Sequence, residues 1–176
     1  MQTLRQLMQM QHFDAASIMP QIQPVSNELV DIGWPLAEVA SDKFEISGGY
    51  GAGMFVGSLG IYLNNLSIKN FFKKGAWRPY PQGQNQQLAV RLQTNGSYYT
   101  SFSGSFTEPW LGGKKPHSLT IGAYYSNQTN SYMFGGVFYK SDSYFRTTGV
   151  SVGLGQRLSI PDPYFTLYTE LGYTRY

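Results

Sequence analysis

Cysteine is absent from the chain, so neither a disulfide framework nor a thiolate-held metal is open to it. Charge is scarce as well: Asp, Glu, Lys and Arg supply 13% of the residues, against about a quarter in soluble domains. No stretch approaches the ~18 consecutive apolar residues of a membrane-crossing helix. The first residues carry no continuous apolar core of the kind that marks an export signal, so a mature chain or a fragment is expected. Histidine is limited to His12 and His117, each without a second His or a carboxylate at ligand spacing, and neither a metal nor a cofactor is expected. The formal charge is only +3, and Lys69, Lys73, Lys74, Arg78, Lys114 and Lys115 collect in two turn-like regions instead of a stripe. Nucleic acid is therefore not an expected partner. No serine stands in a nucleophile-elbow context, and Glu45, Glu108 and Glu170 are spread over different segments, so no catalytic residues are assigned and no enzyme is expected.

What the chain has is alternation. Seven stretches place apolar and polar residues on opposite faces with period two, the spacing of a β-strand. Leu88, Val90 and Leu92 oppose Gln87, Ala89, Arg91 and Gln93; Tyr98, Phe102 and Phe106 oppose Ser101, Ser103, Ser105 and Thr107. Leu119, Ile121, Ala123 and Tyr125 alternate with Ser118, Thr120 and Gly122, and Val150, Val152, Leu154 and Leu158 with Gly149, Ser151, Gly153 and Gly155. Phe165, Leu167, Leu171 and Tyr173 face away from Thr166, Tyr168, Glu170 and Gly172. Upstream, Phe55, Leu59, Ile61 and Leu63 oppose Met54, Val56, Ser58 and Tyr62, and Phe44, Ile46 and Tyr50 oppose Lys43, Glu45 and Ser47.

A soluble β-sandwich would also alternate, with its apolar face turned inward. Strand length argues for a membrane instead: about ten residues, tilted by about 40°, span roughly the 25 Å apolar band of an outer-membrane barrel, whereas soluble strands average about five or six. The polar faces are mostly Gly, Ser, Thr and Gln, suited to a wet lumen. Tyr98, Tyr99, Trp110, Tyr124, Tyr125, Tyr164 and Tyr173 lie near the ends of the stretches, where rings favour the lipid–water interface. Outer-membrane lipid is the expected partner of Leu88, Val90, Leu92, Phe102, Phe106, Leu119, Ile121, Val150, Val152, Leu167 and Leu171. Glu45, Arg91, Arg157 and Glu170 share the polar parity, which suggests ion pairs within the lumen.

The connections follow a pattern. Residues 51–53 and the Asn95-Gly96 pair read as tight hairpin turns, the second a candidate type I′ turn. Residues 66–84 and 108–116 are broader and hold Lys, Pro and Trp, and residues 132–139 read either as strand arms or as a surface loop. The first 41 residues differ: a helix over 3–11 with Thr3 as N-cap, then strands over 18–25 and 29–39 joined by Ser26 and Asn27, with Pro20, Pro24 and Pro35 limiting the pairing.

Three segments carry a resemblance. Residues 44–53 (FEISGGYGAG), 67–79 (SIKNFFKKGAWRP) and above all 105–116 (SFTEPWLGGKKP) resemble the first barrel strands of the BamA family of outer-membrane protein insertases, in its Bacteroidetes-type form. Residues 4–38, with His12-Phe13-Asp14 after the helix, resemble the second half of the last POTRA domain before that barrel. The resemblance implies an all-β fold: an antiparallel meander forming the N-terminal part of a transmembrane β-barrel, the first seven strands over residues 42–176, preceded by a partial α/β POTRA domain over 1–41. The chain lacks the Arg-Gly-Phe motif of the family's inward loop, and Arg175 stands where the closing signal wants a hydrophobe, so a fragment is expected.

The family role implied is folding and inserting β-barrel proteins at a lateral gate, without covalent catalysis. Residues 1–41 would lie in the periplasm, and unfolded outer-membrane proteins and accessory lipoproteins would be the partners. Carried onto this chain, the client-pairing edge is Phe44, Glu45, Ile46, Ser47, Gly48, Gly49 and Tyr50. Two other readings remain open on the residues alone. One is a small self-contained outer-membrane barrel, porin-like or adhesive, with residues 132–139 as an eighth strand; the other is a soluble lipid-carrying β-barrel.

Overall fold

Alternation this regular should build one sheet with chemically distinct faces, and it does. The structure, a computed structural model, describes residues 2–9, 13–26, 29–51, 54–96, 98–113, 117–135, 137–160 and 165–176. It divides into two units, Met1–Asp42 and Lys43–Tyr176.

The first unit contains helix α1 (Gln2–Gln9) and strands β1 (Gln21–Pro24) and β2 (Val30–Gly33), paired antiparallel with Gln21 opposite Gly33. Thr3 lies inside the helix, so it does not cap it: a cap residue sits outside the helical turn. Both strands are shorter than the sequence suggests. Pro20 and Pro35 bring no N–H to a ladder, and β1 starts just after the first while β2 stops two residues before the second. His12 and Asn27 lie outside the described residues. Phe13 bridges to Glu38, and Ser17 ties the same two segments together, its hydroxyl donating to Asp14 O at 2.7 Å while accepting from Ala37 N at 3.1 Å.

The second unit is a seven-stranded antiparallel meander in chain order: β3 (Lys43–Gly51), β4 (Met54–Leu66), β5 (Gln86–Asn95), β6 (Tyr99–Glu108), β7 (His117–Phe134), β8 (Val137–Arg157) and β9 (Thr166–Arg175). Its register lines up the apolar sets. Residues directly opposite in a ladder share a face, and one row runs Ile46, Leu59, Leu92, Phe102, Tyr125 across five strands, the next but one Leu63, Leu88, Phe106, Ile121, Val152, Leu171 across six. Within the second unit, no described residue forms a second layer over this face. Leu92 is 42% exposed and Phe102 45%, and among the described residues Ile18, in the first unit, is the one large apolar side chain that is sealed. A sandwich or a soluble lipid carrier would cover such a face with its own core.

The opposite face is crowded by tyrosines lying over glycines. Tyr124 of β7 stands opposite Gly149 of β8, which in turn stands opposite Thr174 of β9. The ring crosses the middle strand and its hydroxyl shares a 2.9 Å hydrogen bond with Thr174. A Cβ at position 149 would fall 2.2 Å from the ring, so only glycine admits the crossing. Tyr168, opposite Gly155, lays its hydroxyl end over Gly153, and Tyr62 covers Gly60 while donating to Glu45 at 3.3 Å. Tyr124, expected at a membrane interface, is therefore a strut on the polar face of the sheet.

One local expectation changes and one open reading is decided. Asn95 pairs with Tyr99, leaving three residues in the connection instead of two; Gly96 takes φ 55° and Tyr98 N donates to Asn95 O. Residues 132–134 and 137–139 are strand arms: Tyr132 pairs with Tyr139, their rings stacked with centroids 5.7 Å apart, and the hairpin simply lengthens β7 and β8. The segment supplies no eighth strand, which removes the support for a self-contained barrel.

Gly149→Ala is expected to destabilise the sheet by about 1–3 kcal/mol, the usual range for overpacking. Adding Tyr124→Ser should relieve most of that loss. Gly104→Ala, whose Cβ would meet nothing closer than a carbonyl at 3.9 Å, should stay within about 0.5 kcal/mol of the parent. Urea titration of the chain refolded into lipid vesicles reads all three.

Candidate functional site

Two features at the start of the sheet combine exposure with unusual chemistry: the outer edge of β3 and the connection between β4 and β5. Strand β3 pairs with β4 along its whole length, from Lys43 opposite Tyr62 to Gly51 opposite Met54, and with nothing on its other side among the described residues. Its outward groups alternate. Phe44, Ile46, Gly48 and Tyr50 share the apolar face, Ile46 being 80% exposed. Lys43, Glu45, Ser47 and Gly49 share the other, where Lys43 and Glu45 form an ion pair, Lys43 lies 6.0 Å from the Tyr62 ring centre, and Ser47 and Ser58 share a 2.7 Å hydrogen bond.

All seven residues assigned to the edge thus lie on one continuous free strand. Gly48 faces Gly57, so the middle of the pair lacks side chains on both strands, and the Phe55 ring fills the space beside them. Glycine within a strand weakens it by roughly 0.5–1 kcal/mol. Strand β9 is a second free edge, with Gly172 as its only glycine. The sequence reading did not single out that edge, since alternation reveals strands but not which strands end a sheet.

The expected lumen ion pairs do not form. Lys43–Glu45 is the one salt bridge among the described residues. Gly60 separates Glu45 from Arg91 in the ladder, Glu170 faces Gly153, and Arg157 faces Thr166, so equal parity does not bring these charges into contact. No three of His, Cys, Asp or Glu gather among the described residues.

The β4–β5 connection is far more built than its Pro, Gly and Lys content suggests. A 3₁₀ turn (Ile68–Asn70) follows Ser67, which is fully buried; its hydroxyl accepts from Asn70 N, and Ser67 N donates to Pro81 O at 2.9 Å. Asn65 Oδ1 accepts from Gly83 N and Asn85 N, and Asn70 Nδ2 donates to Gln82 O. At its base Gln86 is only 5% exposed. Its Oε1 accepts from Ile68 N at 2.7 Å and its Nε2 donates to Glu108 Oε2 at 2.6 Å. Glu108 Oε1 in turn accepts from Trp110 N at 3.1 Å. Glu108 of the Phe-Thr-Glu-Pro-Trp run therefore caps its own turn and locks it to the neighbouring strand. A signal for this was present: Gln86 and Glu108 occupy positions with apolar-face parity, where a polar side chain requires a partner.

Gln86→Leu is expected to take the partner from Ile68 N and from Glu108 Oε2, while Glu108 Oε1 keeps Trp110 N, a loss of about 1–3 kcal/mol. Trypsin should then cut after Lys69, Lys73 or Lys74 several-fold faster, whereas Gln82→Ala, which keeps the backbone acceptor, should not change the rate. Equal cleavage of Gln86→Leu and parent would refute the anchoring role.

Comparison with known proteins adds one match. A family model described as the Omp85 superfamily domain covers residues 82–176, from the end of the built connection through β9. No curated protein and no solved structure matches the chain.

Proposed function

Since the chain belongs to the Omp85 superfamily, we propose that it is the part of a BamA-type outer-membrane insertase that presents the lateral gate. Members of the superfamily serve outer-membrane protein assembly and transport, generally without enzymatic chemistry. In this reading β3 to β9 are the first strands of a barrel in the bacterial outer membrane. Residues 1–41 close a POTRA domain on the periplasmic side. Unfolded outer-membrane proteins are the clients, with accessory lipoproteins as further partners.

One observation carries the proposal: the outer edge of β3 is free over nine residues and holds the Gly48-Gly49 pair. In hydrocarbon each unpaired backbone group costs several kcal/mol, so an open edge draws in another strand. Main-chain hydrogen bonds supply the affinity of strand addition and require no particular side-chain sequence, which suits an insertase that serves many clients. Glycines at the centre of the edge keep the pairing weak enough for the client to leave. Phe44, Ile46 and Tyr50 on the apolar face, together with Leu59, Leu92 and Phe102 behind them, keep the entry site in contact with lipid.

Single cysteines at positions 44–50, combined with cysteines along an incoming client strand, should form disulfide adducts at alternate positions during insertion. Absence of adducts along this stretch would remove the proposal. Adducts at Leu171→Cys in their place would move the entry site to β9.

A further inference from the structure

Between Glu45 and Glu108 the chain contains no acidic residue, while the β4–β5 connection brings Lys69, Lys73, Lys74 and Arg78 together, all exposed. The same connection displays Ile68, Phe71, Phe72 and Trp77. Phe72 is 91% exposed and Trp77 54%. These rings are held in place: Trp77 Nε1 donates to Phe71 O at 3.0 Å, and Phe71 meets Trp77 and Phe72 edge-on at centroid distances of 5.0 and 5.3 Å. The indole N–H is already satisfied inside the connection, so the ring offers its apolar body to the surroundings. Large exposed apolar groups rimmed by cations mark a binding surface.

The side of the sheet on which this surface lies follows from the register. Gln86 sits two residues before Leu88, opposite Leu66, and it bonds to Glu108, which is two residues beyond Phe106 and opposite Leu119. Gln86 and Glu108 thus belong to the apolar face. Since Gln86 is buried there and bonds to Ile68 N, the connection folds over that face at the rim, not over the tyrosine-lined face. Its aromatic rings and cations therefore continue the apolar band at its edge.

We infer that the β4–β5 connection is an interfacial anchor that seats Phe72 and Trp77 in the lipid headgroup region and holds anionic phospholipid through Lys69, Lys73, Lys74 and Arg78. The inference rests on the reading of this sheet as membrane-spanning and goes beyond the gate. Aromatic rings with neighbouring Lys and Arg are the composition that binds a bilayer surface, by area burial and by attraction to anionic headgroups. A soluble acidic partner would satisfy the cations, but it would not need the rings to continue the lipid-facing band. Seated one connection away from β3, the anchor fixes the height of the free edge relative to the bilayer.

The test uses the whole chain with Trp34→Phe and Trp110→Phe, so that Trp77 is the only tryptophan, refolded into phosphatidylcholine vesicles with or without phosphatidylglycerol. Phospholipids brominated near the headgroup end of the acyl chains should quench Trp77, and the quenching should deepen with phosphatidylglycerol. Replacing Lys69, Lys73, Lys74 and Arg78 by Gln should abolish that dependence. Trp77 emission at the wavelength of water-exposed indole, quenched by aqueous iodide in both membranes, overturns the inference and assigns the patch to a soluble partner. Quenching that is equal with and without phosphatidylglycerol overturns the anionic-lipid assignment. Should the tryptophan replacements prevent folding, Phe72→Cys in the otherwise cysteine-free chain, labelled with a polarity-sensitive fluorophore, reports the same two outcomes. Failure here leaves adduct formation at positions 44–50 untouched, and failure of the adducts leaves the lipid contact of Trp77 standing.

Discussion

Hydrocarbon offers a backbone N–H or C=O no water to bond, so a strand placed in it must pair on both sides or remain reactive on one. The seven-stranded sheet meets this demand internally at every strand from β4 to β8. Among the described strands of this sheet, β3 and β9 carry the consequence of an unmet side, and between them β3 is the strand with a pair of glycines near its centre. The proposed function comes from the same constraint that makes the sheet: in that proposal, pairing that is obligatory everywhere else becomes recognition at the edge.

The two faces solve opposite problems. Outward, Leu, Ile, Val and Phe are displayed without a covering layer, which in water would be an aggregation surface and in lipid is simply solvation. On the opposite face, the tyrosines substitute for a core. Tyr124 reaches over Gly149 to Thr174, and Tyr62 reaches over Gly60 to Glu45, so a strand is held to one that it does not pair with directly or is stiffened where glycine has thinned it. Small residues on the same polar face are the counterpart of these rings. The abundance of glycine there is therefore complementary packing, not slack.

Most of the sheet could be read from the chain because parity is a local property: Leu88, Val90 and Leu92 lie on one face whatever their neighbours do. The free β3 edge was reached through resemblance, not through alternation. Contacts that depend on which strands become neighbours were not readable. Glu45, Arg91, Arg157 and Glu170 share a face and still do not pair, because ladder spacing, not parity, sets the distance between charges. Tyr124 looked like an interfacial ring until Gly149 and Thr174 were brought opposite it. Residues 66–84 read as a broad connection, since the amide and carboxylate groups that order it, from Asn65, Gln86 and Glu108, lie at strand ends up to tens of residues apart. The short strands of the first unit show the opposite limit, where Pro20 and Pro35 remove donors that a hydrophobic pattern alone would have assumed.

Everything depends on the apolar row meeting acyl chains. The most direct measurement is collision accessibility of nitroxide labels placed one at a time at Leu92, Gln93, Phe102 and Ser103 in the vesicle-reconstituted chain. Labels at Leu92 and Phe102 should collide with membrane-dissolved oxygen and be shielded from an aqueous nickel chelate, with the reverse at Gln93 and Ser103. Labels at Leu92 and Phe102 shielded from both reagents would mean that these side chains are sealed within protein, and the membrane-spanning sheet would be wrong.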